Sequence, residues 1–214
     1  KNMTGASRMT MANMAIEAGA KCALFTPDEK TAEYCGIELN DFQKSLSGDT
    51  DATYIKTITY RAEDFVPVMA CPSQVDKIRD VSDLEGTEID QVFIGSCTNG
   101  RLEDLKAAAE VLKGKKVAKY VKLIVTPASR KIYRQAIDMG IMDVLAEAGA
   151  IITHPGCGLC CGRTGGILTD GERVVATNNR NFLGRMGTSK VEIYLASPKT
   201  AAACAVAGKI VKPE

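Results

Sequence analysis

The sequence predicts an α/β protein built mainly on parallel sheet, with helices on both faces. Three observations carry that prediction. Short apolar segments alternate with segments of helical period along most of the second half of the chain. Hydrophobic residues make up 45% and charged residues 25% of the 214 positions, enough apolar material for a core of ordinary size. Glycine-bearing loops follow several of the strand-like segments, where a parallel sheet gathers its ligands. A polar stretch at residues 72–86 suggests a junction, and the chain is divided into a partial α/β domain over residues 1–75 and a second α/β domain over residues 76–214.

In order along the chain, residues 8–19 have helical spacing through Met9, Ala12, Ile16 and Ala20, with Gly19 as a stop. KCALF (21–25) reads as a buried strand, and TPDEKTAEYC (26–35) as a helix entered through Thr26 and Pro27. Residues 36–51 are loop-like. ATYIKTITY (52–60) alternates like a half-exposed strand, while FVPVMACPS (65–73), broken by prolines, is an edge or a linker. Then come strand IDQVFIG (89–95), helix RLEDLKAAAEVLKG (101–114), strand YVKLIVTP (120–127), helix SRKIYRQAIDMG (129–140), helix IMDVLAEAG (141–149), strand AIITH (150–154), and strands RVVAT (173–177) and VEIYLA (191–196). The last helix enters through Ser197 with Pro198 at its first position. No internal repeat, heptad or low-complexity segment interrupts this order.

Charge and composition exclude some partners. The net charge of +1 gives no field to attract nucleic acid or an anionic membrane. No apolar run approaches the roughly 20 residues that span a bilayer, and the first residues have no apolar secretion core. The eight cysteines are scattered rather than dense, as in a reduced, cytoplasmic protein.

Three loops stand at strand ends: GSCTNGR (95–101), PGCGLCCG (155–162) and TNNRNFLGRMG (177–187). Together they offer Cys97, the pair Cys157 and Cys160, and two arginines. A C-x-x-C pair serves a redox dithiol, a zinc site or an iron–sulfur site. Zinc asks for four ligands, and here the fourth would be Cys161, His154 or a distant cysteine. A redox dithiol at a helix start leaves Cys97 and the arginines without a role. Three thiolates on a [4Fe–4S] cluster leave one iron open as a Lewis acid, and Arg180 and Arg185 could hold carboxylates beside it as bidentate forks.

GSCTNGRLEDL, PGCGLCCG, NRNFLGRMG and YLASPKTAAACAVAGKI together resemble the aconitase superfamily, most nearly the large subunits of 3-isopropylmalate dehydratase and homoaconitase. RMTMANMAIEAGAKCALFTPDE is similar to the preceding domain of that family. The resemblance implies a three-layer, aconitase-like fold in which residues 1–75 are part of the family's second domain and 76–214 its third. It implies a [4Fe–4S] cluster on Cys97, Cys157 and Cys160, carboxylate binding by Arg180 and Arg185 with support from Asn179, and roles near the cluster for Asn13 and Glu17. Cys161 stands where relatives have an apolar residue and is expected to pack. The implied activity is a hydro-lyase of amino-acid biosynthesis, leucine biosynthesis for the isopropylmalate type, acting on a hydroxy di- or tricarboxylate with a small swivelling subunit as partner. Another hydro-lyase, such as dimethylmalate dehydratase or aconitase, is the alternative within the superfamily; a zinc or redox module is the alternative outside it. Family large subunits are about twice as long, so the chain is expected to be a C-terminal portion and incomplete as an enzyme. His154 is expected to be a loop hydrogen-bonder, and Glu103 and Asp104 to serve the start of their helix.

Overall fold

A computed structural model describes residues 3–40 and 46–213, which fall into two compact units, 1–65 and 66–214. In the first unit, Thr4 caps helix α1 (Gly5–Met14) by accepting from the Ser7 amide at 3.1 Å. A 3-10 turn, Ala15–Ala18, extends it to Gly19 in the left-handed conformation, the stop expected there. Helix α2 (Glu29–Cys35) is capped by Asp28 rather than Thr26, because Asp28 accepts from the Thr31 amide at 3.2 Å while Thr31 Oγ1 accepts from the Asp28 amide at 3.4 Å. The two helices are tied by Arg8, whose buried guanidinium donates Nη1 to Asp28 Oδ1 at 2.8 Å and Nη2 to Oδ2 at 2.6 Å.

That fork holds the Asp28 carboxyl well below the usual carboxylate range, with the Arg8 hydrogen bond as the largest cause. A depressed folded value stabilises the folded state above the unfolded value of about 3.9, and the contribution is lost as pH falls through the folded value. A carboxyl-carbon NMR titration should therefore place the Asp28 midpoint below that reference, and Arg8→Gln should return it upward. An ordinary midpoint in the unmodified chain would refute the ion pair.

The expected strands over 21–25 and 52–60 are absent: both segments are irregular, and Tyr54, Ile55, Ile58 and Tyr60 are exposed. A strand needs a neighbour for its amides and carbonyls, and among the described residues of the first unit there is none.

The second unit is a seven-stranded sheet: β1 (Val68–Ala70), β2 (Ile78–Asp80), β3 (Gln91–Gly95), β4 (Lys122–Thr126), β5 (Ile151–Ile152), β6 (Arg173–Ala176) and β7 (Glu192–Leu195), in the order β2-β1-β7-β6-β3-β4-β5. It is parallel except at β1, which runs antiparallel to both β2 and β7. FVPVMACPS thus supplies an outlying strand that belongs to this sheet, and the compact unit begins upstream of the polar junction. The helices are α3 (Ser96–Asn99), α4 (Leu102–Leu112), α5 (Arg130–Asp138), α6 (Ile141–Ala148) and α7 (Pro198–Ala207). None of the described helices is long and apolar enough to cross a membrane.

Strand alternation sorts the core by face. Val92, Ile94, Leu123, Val125 and Val175 pack with Leu105 and Leu112 of α4, Leu145 of α6 and Ala201 of α7. Phe93, Ile124, Val174, Ala176 and Ile193 face the other way and pack with Leu159, Leu168 and Met186, none of which lies in an α-helix. The long helices of this unit therefore share one layer, and loops roof the opposite face.

Strand order also fixes where a ligand can sit. From β3 the chain steps outward to β4 and β5, then returns to the other side of β3 with β6 and β7. The carboxyl ends of β3 and β6 thus flank a topological switch point, where parallel sheets open a crevice.

Candidate functional site

The loop after β3 turns sharply. Gly95 has φ 145° and Ser96 has φ 86°, a left-handed conformation that costs a non-glycine residue about 1–3 kcal/mol. A side chain at Gly95 would collide with the Thr126 carbonyl, so β3 and β4 approach closely just before the turn. Ser96 and Thr98 are buried and Cys97 between them is exposed. Arg101 Nη2 donates to the Cys97 carbonyl at 3.4 Å. What reads as a loop in the sequence is thus the four-residue helix α3, wound to present one thiol.

Across the switch point the loop after β6 is pinned to that turn. Thr177 Oγ1 accepts from the Gly95 amide at 2.9 Å. Asn99 Nδ2 donates to the Thr177 carbonyl and, at 2.7 Å, to Asn179 Oδ1. Asn178 Nδ2 donates to the Arg180 carbonyl at 2.7 Å. Asn181 is buried, and its Nδ2 donates to the Cys71 carbonyl at 2.7 Å and the Gln74 carbonyl at 3.2 Å, anchoring the arginine loop to the β1–β2 turn. Asn179 is itself buried, whereas Arg180 and Arg185 are half-buried.

The third loop leaves β5 through His154 and Pro155, and Gly156 donates its amide to the Pro127 carbonyl at 3.1 Å. A single 3-10 turn, Gly158–Cys161, follows, closed by the Gly162 amide on the Leu159 carbonyl at 2.8 Å. Leu159 is fully buried and anchors the turn; Cys157 and Cys161 are exposed and Cys160 is intermediate. Gly162 has φ 64°, and a Cβ there would strike the Arg185 carbonyl, so the cysteine loop and the arginine loop touch backbone to backbone.

The three loops thereby converge. The Cys157 thiol is raised above the ordinary cysteine range, first by the adjacent Cys97 thiol, then by burial, then by its hydrogen bond with Cys97 and by Cys161, with Arg185 opposing. Arg185 Nη2 lies 3.5 Å from Cys160 Sγ. Its Nε is buried and makes no hydrogen bond among the described residues. The Asn178 and Asn181 side-chain carbonyls are likewise buried without partners. Burial raises the Asp104 carboxyl to about 6 against the Arg101 amide it accepts from at 3.0 Å, so Asp104 does serve the start of α4.

Cys97, Cys157, Cys160, Asn179, Arg180 and Arg185 therefore all lie on loops at one end of the sheet. Asn13, in α1, and Glu17, in the 3-10 turn after it, belong to the first unit. Cys161 departs from its expectation: it is exposed, at the end of a turn whose buried anchor is Leu159. Asn99, Thr177 and Asn181 are the supports that sequence reasoning missed; each is a short polar residue at a strand end or in a glycine-rich loop, which is the only signal they give.

Among the described residues, no three His, Cys, Asp or Glu side chains converge to hold a single ion. One tetrahedral zinc would draw its sulfurs to roughly 2.3 Å from a common centre. A cluster takes each thiolate on a different iron and so accepts a wider spread. The close approach of the Cys97 and Cys157 thiols and a guanidinium beside the Cys160 sulfur also suit an iron–sulfur group, which deprotonates its thiols on binding.

Comparison with known proteins bears on this arrangement. The sequence model of the aconitase family (aconitate hydratase) matches residues 1–208. The chain is 51% identical over 216 residues to 3-isopropylmalate dehydratase large subunit 2 of Archaeoglobus fulgidus, covering all of this chain and 51% of that protein. It is 50% identical over 213 residues to large subunit 1 of the same enzyme from Methanopyrus kandleri, covering all of this chain and 51% of the relative. A probable methanogen homoaconitase large subunit of Methanosarcina mazei is 51% identical over 208 residues, 97% of this chain and 52% of that one. The chain spans about half the length of these relatives.

Proposed function

This chain belongs to the aconitase family, and from that premise we propose that it is the cluster-binding portion of the large subunit of an iron–sulfur hydro-lyase of the 3-isopropylmalate dehydratase or homoaconitase type. The observation that carries the proposal is the meeting of the three cysteines and Arg185 at one switch point, with Arg180 on the same loop as Arg185. Cys97, Cys157 and Cys160 would hold a [4Fe–4S] cluster, which when bound supplies a Lewis-acidic iron for the substrate's hydroxyl group. Arg180 and Arg185 would bind two carboxylates of a hydroxy di- or tricarboxylate. Their forks fix its orientation and stabilise charge that develops on the carboxylate as the neighbouring carbon loses its proton. Asn179, held by Asn99, keeps the arginine loop at its distance from the cysteines.

Asn13 and Glu17 are assigned to the same chemistry through the family resemblance. Their spacing of one helical turn supports the assignment, with the amide steadying the ligand and the carboxylate managing the proton of the departing water. Residues 1–75 and 76–214 would correspond to the family's second and third domains. The names of the relatives as large subunits support a small-subunit partner, and cysteines scattered rather than dense support a cytoplasmic setting.

Anaerobic reconstitution followed by metal and sulfide analysis tests the reading. About four irons and four acid-labile sulfides per chain are expected. Stoichiometric zinc with no sulfide would replace the hydro-lyase reading with a zinc module.

A further inference from the structure

Arg185 is not placed like a solvated arginine. Among the described residues its guanidinium has no carboxylate partner, and its Nε is shut off from solvent without a hydrogen bond. A surface arginine keeps its charged head in water. The contact that the guanidinium does make is to sulfur: Nη2 lies 3.5 Å from Cys160 Sγ, within hydrogen-bond reach. Both backbones behind that contact are fixed. Leu159 precedes Cys160, Met186 follows Arg185, and the two apolar side chains are fully buried in one cluster. The Met186 carbonyl accepts from the Leu168 amide at 2.9 Å, and the Arg185 carbonyl packs on Gly162 so closely that no Cβ fits there. The meeting of guanidinium and sulfur is therefore built into the two loops rather than left to a mobile side chain.

We infer that Arg185 tunes the proposed cluster through Cys160, donating Nη2 to that sulfur, while the same guanidinium keeps its Nη edge for a substrate carboxylate; the inference rests on the hydro-lyase reading above. The buried Nε closes the side-on fork, which pairs Nε with an Nη atom, so a carboxylate is confined to the end-on approach through Nη1 and Nη2. Nη2 carries two hydrogens and can serve both partners. Once Cys160 is a thiolate, a guanidinium on it forms a charge-assisted hydrogen bond, about twice as strong as a neutral one. That bond draws electron density from the sulfur. A thiolate that gives less charge to its iron leaves the cluster easier to reduce and its irons stronger Lewis acids. Toward the cluster Arg185 is thus a positioning residue: it touches a ligand's sulfur, and its effect on the substrate's hydroxyl group passes through Cys160.

The reduction potential of the reconstituted chain, followed by electron paramagnetic resonance in an anaerobic titration, reads this contact. Arg185→Gln should lower the equilibrium constant for one-electron reduction about tenfold, or ~59 mV. Arg185→Lys, which keeps a charge and a donor, should recover part of the drop. Arg163→Gln removes an equal charge from the exposed position after Gly162 and should leave the potential where it is. An unmoved potential in Arg185→Gln, or the same drop in Arg163→Gln, overturns the inference and leaves the hydro-lyase reading standing. No cluster in the unsubstituted chain overturns both. A second measurement needs no cluster. In the apo chain the Arg185 Nε–H should exchange slowly with solvent by NMR, and Cys160→Ser should shift its resonance. Fast exchange, or a resonance blind to Cys160→Ser, overturns the contact.

Discussion

Serine in place of Cys97, Cys157 or Cys160 is expected to abolish stable cluster formation, each substitution alone. The three sulfurs come from two loops that meet at the end of the sheet, so the loss of any one leaves only two of the proposed ligands. Serine is nearly isosteric, but its hydroxyl does not give up its proton near neutral pH, and two thiolates cannot hold a cubane against hydrolysis. Cys161→Ser should retain the cluster, because it is Cys160 that packs against the buried face and receives Arg185. Visible absorption after anaerobic reconstitution, with iron and sulfide counts, checks all four variants. If Cys161→Ser loses the cluster and Cys160→Ser keeps it, the ligand set is displaced by one residue.

The second large effect concerns the arginines. In the full-length protein assembled with the proposed small subunit, Arg185→Lys and Arg180→Lys should each lower kcat/KM by the equivalent of about 2–4 kcal/mol of transition-state stabilisation, the scale of one oriented donor in a water-poor site. Lysine keeps the charge but has no fork, and at position 185 it also lacks the buried Nε that now makes no bond within the described residues. Turnover close to that of the unsubstituted enzyme in either variant would move that arginine out of the substrate site. A rise in KM with unchanged kcat would limit it to ground-state binding.

The fold was legible wherever pattern and partner agreed. β3, β4, β6 and β7 are apolar segments that pair with one another, and Ser197 with Pro198 starts α7 as expected, Ser197 Oγ accepting from the Thr200 amide at 3.2 Å. KCALF and ATYIKTITY show the opposite case. Alternation makes a segment able to pair, but pairing requires a second strand, and sequence pattern does not register its absence. Asp28 displaced Thr26 as a cap because Arg8, twenty positions away, fixes its carboxylate, a contact that no local window contains. The cysteines and arginines that meet at the candidate site were legible because their residue types are chemically conspicuous. Asn99, Thr177 and Asn181 were not, since an amide or hydroxyl in a polar loop looks the same whether it faces solvent or secures a neighbouring turn. Cys161 was misjudged as packing because residue type says nothing about which side of a 3-10 turn faces the core.

Within the second unit's described residues, the long α-helices pack on one face of the sheet only. Leu159, Leu168 and Met186, all fully or almost fully buried, close the other from loops, and Leu159 sits between two of the cysteines assigned to the metal. The segments proposed to take up the cluster are therefore also those that keep Phe93, Val174 and Ile193 dry. When they lift, the uncovered strands become accessible to degradative enzymes, which cut open states in proportion to their population. If the proposed cluster ties these loops down, its loss should raise susceptibility to proteolysis, which limited digestion before and after reconstitution checks.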